Sequence, residues 1–259
     1  MTIARPVLVE FLGLSGAGKS AVSHQVAERL RRRGLPVREP TLRLAPEGRR
    51  RSVWKRALKT LHVARELLMH PLTSLRSLKS MSATRQQRLR LLLRMGFNWL
   101  MLSSLMRTHR RSLHLFDQGT FQALWSIGLE GRRGAIGRVG PRLVATVPAP
   151  DAVVVIEARP EVVADRLRVR GGRESRADRW DPAAVQRSQR TMDEVRSVLR
   201  RMSARPGGPR ILRVVNGRDD DVEAVADRVA VELELLTRTI EQVPAARAAA
   251  PERLEADGY

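Results

Sequence analysis

The chain has 259 residues, of which 42% are apolar and only 3% aromatic, and it contains no cysteine. The absence of cysteine excludes a disulfide scaffold and a zinc-thiolate site, and the apolar share excludes a chain that is disordered throughout. Lysine and arginine outnumber the acidic residues by 48 to 27, which gives a formal charge of +21. We expect one α/β domain over residues 1–243, followed by a flexible tail over 244–259. No secretory segment precedes the first apolar run, so we expect a reducing, cytoplasmic location.

Apolar runs and helical periodicity alternate along the chain. The run Val7–Leu12 predicts a buried strand, and apolar residues then recur every four positions on one face of a predicted helix from Lys19 to Arg33, which Gly34 is suited to end. Further strands are predicted over residues 35–40, 113–117, 151–157 and 211–215. Strands separated by helices indicate a three-layer α/β fold, with a doubly wound, mostly parallel sheet and helices on both of its faces.

The middle of the chain is helical by pattern and strongly basic. Residues 43–114 hold 17 basic residues against two acidic ones, so +15 of the total charge lies here. This helical basic insertion, residues 44–112, indicates either an anion-binding surface, for nucleic acid, an anionic membrane or a phosphorylated substrate, or a solvated helical face. We expect breaks in the helical pattern at Pro71 and around Gly96. Residues 91–106 form its most apolar stretch, which is shorter than the roughly 20 residues that span a bilayer. We therefore predict a core helix, with an in-plane membrane contact as the alternative.

A glycine-rich motif follows the first predicted strand. Residues 13–20 match G-x-x-x-x-G-K-[ST] between a strand and a helix, the context in which this motif binds phosphates. Its glycines let successive amides converge on phosphate oxygens, and the N-terminus of the following helix adds unpaired amides and a positive dipole end. Lys19 is expected to bridge the β- and γ-phosphates, and Ser20 to ligate Mg²⁺. We predict ATP and Mg²⁺ as cofactors, with cofactor contacts from Gly13, Ser15, Gly16, Ala17, Gly18, Lys19, Ser20 and Ala21.

An aspartate stands at the end of another predicted strand. Asp117 should emerge at the same carboxyl edge of the sheet as the phosphate loop. We predict that it either holds the metal through water or accepts a proton from the acceptor, so Ser20 and Asp117 form the predicted metal site. The alternative is a turn or helix-capping role in Asp-Gln-Gly.

Arginines are concentrated after the fourth predicted strand. Residues 166–176 place five of them beside a Gly-Gly pair. Guanidinium groups that close over a transferring phosphoryl group would stabilise its charge, and their planar fork can bind two oxygens at once. We therefore predict a lid over residues 166–181, with an exposed basic helix end as the alternative. The predicted catalytic residues are Lys19, Asp117, Arg166, Arg170, Arg173 and Arg176.

Four motifs together resemble the thymidylate kinase group of P-loop kinases. The phosphate loop is one, Arg38-Glu39-Pro40 is similar to that family's Arg-Glu-Pro signature, Asp117-Gln118 stands in the place of its Asp-Arg pair, and residues 150–181 are similar to its fourth strand, helix and lid. The resemblance implies a doubly wound P-loop NTPase fold and ATP-dependent phosphoryl transfer to a small acceptor, with a nucleotide or nucleoside as the first expectation. By this analogy the acceptor contacts are Arg38, Glu39, Arg94, Gln118 and Gln122.

The departures from that family concern the acceptor. Ser15 stands where the family carries an acid, and Gln118 replaces an arginine that would be directed at the acceptor's phosphate. An alternative acceptor is therefore a sugar, an adenylylsulfate-like compound or an antibiotic. A further alternative is a nucleotide-dependent protein that binds nucleic acid or an anionic membrane, and a homodimer is also considered. The five histidines show no metal-ligand spacing, and we expect the tryptophans to be core or interface anchors: Trp54, Trp99, Trp125 and Trp180.

Overall fold

A five-stranded parallel sheet lies at the centre of the molecule. The computed structural model describes residues 3–43, 49–86, 89–108, 110–169, 182–217 and 222–242. Its strands are β1 (Val7–Leu12), β2 (Val37–Arg38), β3 (Leu113–Phe116), β4 (Ala152–Glu157) and β5 (Arg210–Val215). Their order across the sheet is β2-β3-β1-β4-β5, and every described pair of neighbouring strands is parallel. The predicted fold class, a doubly wound sheet, is confirmed.

Helices cover both faces of this sheet. Within the described residues they are α1 (Lys19–Arg32), α2 (Pro40–Arg43), α3 (Arg49–Met69), α4 (Pro71–Ser82), α5 (Leu89–Met106), α6 (Thr120–Glu130), α7 (Ala135–Val144), α8 (Pro160–Val169), α9 (Pro182–Ser203) and α10 (Val222–Gln242). Helices α1 and α10 pack on one face, whereas α4, α5, α6, α7 and α9 enclose a second core on the other. The layers agree with the three-layer prediction.

The central strand β1 shows why the sheet is buried on both sides. Val7, Val9 and Phe11 point into the core beneath α1 and α10, and Leu12 points into the opposite core. Because successive side chains of a strand alternate between faces, a continuous apolar run is required where both faces are covered. Strand β1 therefore lies in the middle of the sheet and carries the loop that follows it.

Two local predictions need correction. Strand β2 has only two residues, and Pro40 begins α2, since proline is suited to the first position of a helix. Gly96 lies inside α5 without interrupting it, and the side chain of Leu78 packs closely there. The chain breaks instead after α4, where Arg85 has a φ of 51°.

The tryptophans divide into two groups. Trp99 and Trp125 are buried in the core, as predicted. Trp54 is 81% exposed on α3, which excludes a core role for it and leaves the role of interface anchor as a prediction. Trp180 and the predicted tail lie outside the described residues.

Candidate phosphate-binding and acceptor site

The loop between β1 and α1 has the backbone that its glycines predict. Gly18 has a φ of 89°, and a Cβ there would collide with the side-chain amide of Asn216. A Cβ on Gly13 would lie 2.6 Å from the carbonyl oxygen of Ile156. Residues with a side chain rarely adopt the conformation of Gly18, so the loop needs glycine both for its turn and for its close approach to neighbouring backbone.

Lys19 lies at the start of α1 and folds back over this loop. Its Nζ donates hydrogen bonds to the carbonyl oxygens of Gly13 and Leu14, both at 2.9 Å. Gly18 is the N-cap of α1, and no side chain caps the helix there. The first amides of a helix lack intrahelical partners, and such an N-terminus attracts anions. The predicted contacts Ser15 and Ala17 belong to the same loop, and Ala21 is exposed in the first turn of α1.

Asp117 follows β3 and reaches the phosphate loop. The Ser20 hydroxyl donates a hydrogen bond to Asp117 Oδ2 at 3.2 Å, and the Thr41 hydroxyl donates one to Oδ1 at 2.5 Å. The two residues of the predicted metal site are therefore adjacent. The pattern of the sequence gave no indication of Thr41, which stands at the second residue of the short helix α2.

These two groups suit magnesium better than a metal held by side chains alone. Mg²⁺ is commonly bound by one or two protein oxygens together with phosphate oxygens and water. A hydroxyl and a carboxylate beside a phosphate loop provide that set. In the part of the chain that the structure describes, no group of three or more histidine or acidic residues could hold a metal ion.

The first arginine of the predicted lid, Arg166, contacts the backbone of the phosphate loop. Arg166 on α8 donates hydrogen bonds to the carbonyl oxygens of Ala17 at 3.4 Å and Gly217 at 2.9 Å. Asn216 is fully buried, and its Nδ2 donates to the Ala17 carbonyl at 2.8 Å. Asn216 comes directly after β5, so the rule that identified Asp117 would also have found it. The other predicted lid residues Arg170, Arg173 and Arg176 lie outside the described residues.

A cavity of about 300 Å³ opens beside Asp117. Helix α5 supplies much of its apolar wall, and the loop after β3 and helix α6 supply polar groups. Gln122 connects the cavity to the phosphate loop, since its Oε1 accepts a hydrogen bond from the Gly13 amide at 3.4 Å. The polar residues that line it are Thr41, Lys59, Asn98, Asp117, Gln118, Gln122 and Ser126. Of the predicted acceptor contacts, the structure thus brings together Gln118 and Gln122.

The remaining predicted acceptor contacts lie elsewhere. Arg94 is exposed on α5 and does not line this cavity. Glu39 is buried and accepts a hydrogen bond from Arg31 at 2.7 Å, with His24 Nδ1 3.4 Å away, so its carboxylate is engaged with α1. Helix α2 begins directly after Glu39, and its second residue, Thr41, contacts Asp117 and lines the cavity.

Arg38 lines a second cavity, of about 590 Å³, on the β2 side of the sheet. Burial and the charges of Arg38 and Arg110 lower the pKa of His114 there, although a hydrogen bond with the Arg110 carbonyl opposes the shift. Burial and the charge of Arg65 lower the pKa of His62. Four arginines make the cavity cationic: Arg38, Arg65, Arg107 and Arg110, with His62 and His114 beside them.

A buried carboxyl group contacts the start of α6, a helix whose later residues line the cavity beside Asp117. Glu10 lies on β1, and its Oε2 accepts a hydrogen bond from the Phe121 amide at 3.0 Å, at the N-terminus of α6. Burial raises the pKa of Glu10, and the hydrogen bonds from the start of α6 oppose that shift. A Cβ on Gly119 would collide with the Glu10 carboxyl group. The sequence carried one signal for this residue, a charge inside an apolar run.

The strand order, the parallel pairs and the glycine loop before α1 define a P-loop α/β fold. No family profile and no curated protein matches the sequence. Among solved structures, the thymidylate kinase from Ehrlichia chaffeensis is 14% identical, with a TM-score of 0.48, and the match covers 88% of this chain and 98% of that chain.

Proposed function

We propose that the chain is an ATP- and Mg²⁺-dependent phosphotransferase that transfers the γ-phosphate of ATP to a small acceptor bound beside Asp117. The 3.2 Å hydrogen bond between Ser20 and Asp117 is the observation that carries this proposal. It brings the end of a phosphate loop and the mouth of a cavity of ligand size into contact. A protein that only bound a nucleotide would not need a second cavity next to its phosphate loop.

The donor side of the reaction is assigned to the loop and the first turn of α1. The amides from Gly16 to Ser20 would hold the triphosphate, and the Lys19 ammonium would leave its two carbonyl partners to bind the β- and γ-phosphate oxygens. Arg166 and Asn216 hold the Ala17 carbonyl, so they position the loop. Positioning of this kind accounts for most of the catalysis in phosphoryl transfer.

Ser20 and Asp117 would hold Mg²⁺, which when bound neutralises charge on the β- and γ-phosphates. The Thr41 hydroxyl orients the Asp117 carboxylate by its hydrogen bond to Oδ1. Asp117 also borders the acceptor cavity, so it is the group that would accept a proton from an acceptor hydroxyl. Gln122 contacts both the loop and the cavity, and it would align donor and acceptor.

The lining of the cavity favours an acceptor that presents hydroxyl groups. Among the described residues that line this cavity, Lys59 is the only cation. The side-chain amides of Asn98, Gln118 and Gln122 also line the cavity. Arginine forks are the usual partners of a phosphate dianion. We therefore place a nucleoside or another polyhydroxyl compound, such as a sugar or an antibiotic, ahead of a nucleoside monophosphate.

Removal of the Lys19 ammonium tests the proposal. Lys19→Ala should lower kcat/KM for phosphoryl transfer by roughly a hundredfold to a thousandfold, the range seen when one charge-stabilising donor is lost. Arg142→Ala, which removes an exposed cation from α7, is the matched control and should leave the rate unchanged. Undiminished transfer in the Lys19 variant would refute the assignment of the donor site.

The acceptor is identified by an ADP-release screen with the full chain, ATP and magnesium. The panel contains nucleosides, nucleoside monophosphates, sugars, adenylylsulfate and hydroxyl-bearing antibiotics. An acceptor bound in the cavity should lose most of its stimulation in Gln118→Ala, while the basal rate of ATP hydrolysis stays the same. Stimulation by nucleoside monophosphates alone would contradict the preference for hydroxyl-bearing acceptors.

A further inference from the structure

Large apolar side chains on the surface are concentrated in the helical insertion. Of the 15 that are exposed among the described residues, 11 lie between Val53 and Leu93. Single exposed apolar residues are normal on a protein surface, whereas a contiguous group of them marks an interaction site. We therefore expect these exposed apolar side chains to bind a partner that removes them from water.

Helix α3 gathers several of these side chains on one face. We call this face the α3 stripe, which consists of Trp54, Ala57, Leu61, Ala64 and Leu68. The spacing of three and four residues places them on one side of a helix over a length of about 21 Å. All five are exposed, whereas Val63 and Glu66 on the opposite side are buried. The inner face of α3 is thus partly polar and its outer face apolar, the reverse of an ordinary surface helix.

Helix α4 follows the turn at His70 and also exposes apolar side chains. Leu72, Leu75, Arg76 and Lys79 are all exposed. The last three follow Leu72 by three, four and seven residues, so all four lie on one face of the helix. These four residues and the α3 stripe form what we call the α3–α4 surface. It combines apolar side chains with cations.

The charge of the insertion is almost entirely of one sign. Glu66 is the only acidic residue of the sequence between residues 48 and 116. It is buried, and it pairs with Arg107 at 3.0 Å. The surface therefore presents no carboxylate from this part of the chain, and its field attracts anions.

We propose that the α3–α4 surface docks the protein in the plane of an anionic phospholipid bilayer. An amphipathic helix binds such a bilayer by burying leucine and tryptophan side chains at the boundary of the acyl chains, while lysine and arginine contact anionic headgroups. None of the described helices is long and apolar enough to cross a membrane. The contact is therefore made by side chains of helices that lie along the surface.

The charge and the apolar character of this surface together favour a bilayer over a second copy of the chain or a nucleic acid. A symmetric dimer through this surface would place two cationic faces against each other, since a two-fold interface pairs the same patch on both copies. Nucleic acid would satisfy the cations but would leave the exposed leucines without an apolar partner. A bilayer satisfies both kinds of side chain. The residues concerned line neither the phosphate loop nor the cavity beside Asp117, so this proposal stands or fails independently of the proposed function.

Vesicle flotation with the full chain tests the docking. The wild type should float with vesicles of equal parts phosphatidylglycerol and phosphatidylcholine, and much less with vesicles of phosphatidylcholine alone. The variant Trp54→Ser/Leu61→Ser/Leu68→Ser should reduce partitioning roughly a hundredfold or more, because each lost apolar side chain removes buried area. The variant Arg76→Glu/Lys79→Glu should reduce binding by at least about tenfold on anionic vesicles.

Controls separate docking from misfolding and from the other partners. Val231→Ser/Leu235→Ser replaces exposed apolar residues of α10 and should float like the wild type. The substituted side chains are exposed, so all variants should keep the wild-type urea midpoint. Equal binding to neutral vesicles, or flotation unchanged by the triple serine variant, would overturn the proposal. It would also be overturned if duplex DNA displaced the vesicles, or if the wild type were a dimer that the triple serine variant made monomeric.

Discussion

The sheet and the helical insertion distribute their apolar residues in opposite ways. In the sheet, β1 sends Val7, Val9 and Phe11 into one core and Leu12 into the other, and α1 covers the first of them. In the insertion, α3 turns Trp54 and its neighbours toward solvent. Within the described residues, the sheet region thus buries its apolar side chains, and the outer face of α3 leaves its apolar side chains exposed.

Polar contacts on the inner face of α3 hold this helix against the rest of the chain. Glu66 is buried and pairs with Arg107, and the Ser104 hydroxyl lies 3.2 Å from His62 Nδ1. Polar contacts of this kind specify a position but contribute little net stability, because burying charge offsets much of the attraction. On our two proposals, the sheet region provides the phosphate chemistry and the insertion provides the membrane contact. The following changes test this division.

The largest effect is expected from Gly18→Ala in the sheet region. The substitution places a Cβ against the Asn216 amide at a φ of 89°, so the loop must move to accept it. Misplacement of the phosphate amides should lower ATP affinity and transfer by about a hundredfold or more. Gly137→Ala on α7, where a Cβ would meet nothing within 4 Å, is the control. Flotation on anionic vesicles should be unchanged, and a parallel loss of flotation would show that the regions are not independent.

The second largest effect is expected from Glu66→Ala in the insertion. It leaves Arg107, whose side chain is only 21% exposed, without its carboxylate partner. Removal of one member of a buried pair destabilises proteins by about 3 kcal/mol. Urea unfolding should show this loss, whereas Glu28→Ala, which removes an exposed pair with Arg32, should cost under about 1 kcal/mol. Wild-type stability in the Glu66 variant would mean that α3 is held by other contacts.

Gly18 and Glu66 lie in two regions that differ in how well the sequence predicts them. The phosphate loop was predictable because its residue types and their order are dictated by backbone geometry, and Asp117 because parallel strands end at one edge of the sheet. Helix α3 was predictable as a helix. Its orientation was not, because periodicity locates an apolar face without telling whether that face meets the core or solvent.

The acceptor side was the least predictable part of the site. Thr41 and Lys59 reach it from helices α2 and α3, whose packing depends on long-range contacts. Glu39 and Arg94 were expected there by analogy, but the start of α2 and the exposed side of α5 place them elsewhere. Of the residues carried over by resemblance, Gln118 and Gln122 therefore line the cavity, whereas Glu39 and Arg94 do not.

A smaller effect is expected from Thr41→Val, which removes the hydroxyl bound to Asp117 Oδ1. A hydrogen bond to a charged group contributes about 2 kcal/mol, so kcat should fall about tenfold to thirtyfold. The magnesium concentration for half-maximal rate should rise, because the carboxylate loses its orientation. Thr239→Val on α10, whose hydroxyl donates to the Leu235 carbonyl, is the matched control and should retain both values. An unchanged magnesium dependence would assign Asp117 to proton transfer rather than to the metal.

The smallest effect is the pH dependence of stability from His62 and His114. Burial and neighbouring arginines hold the pKa of both imidazoles below the ordinary value of 6.5 in the folded protein. As pH falls below 6.5, the unfolded chain binds protons that the folded chain does not, so the free energy of unfolding decreases. Above that value both states are neutral at these positions, and the contribution is flat. Urea midpoints at a series of pH values should therefore fall on acidification, and His62→Gln/His114→Gln should reduce the slope. An unchanged slope would mean that these two imidazoles do not cause the pH dependence of stability.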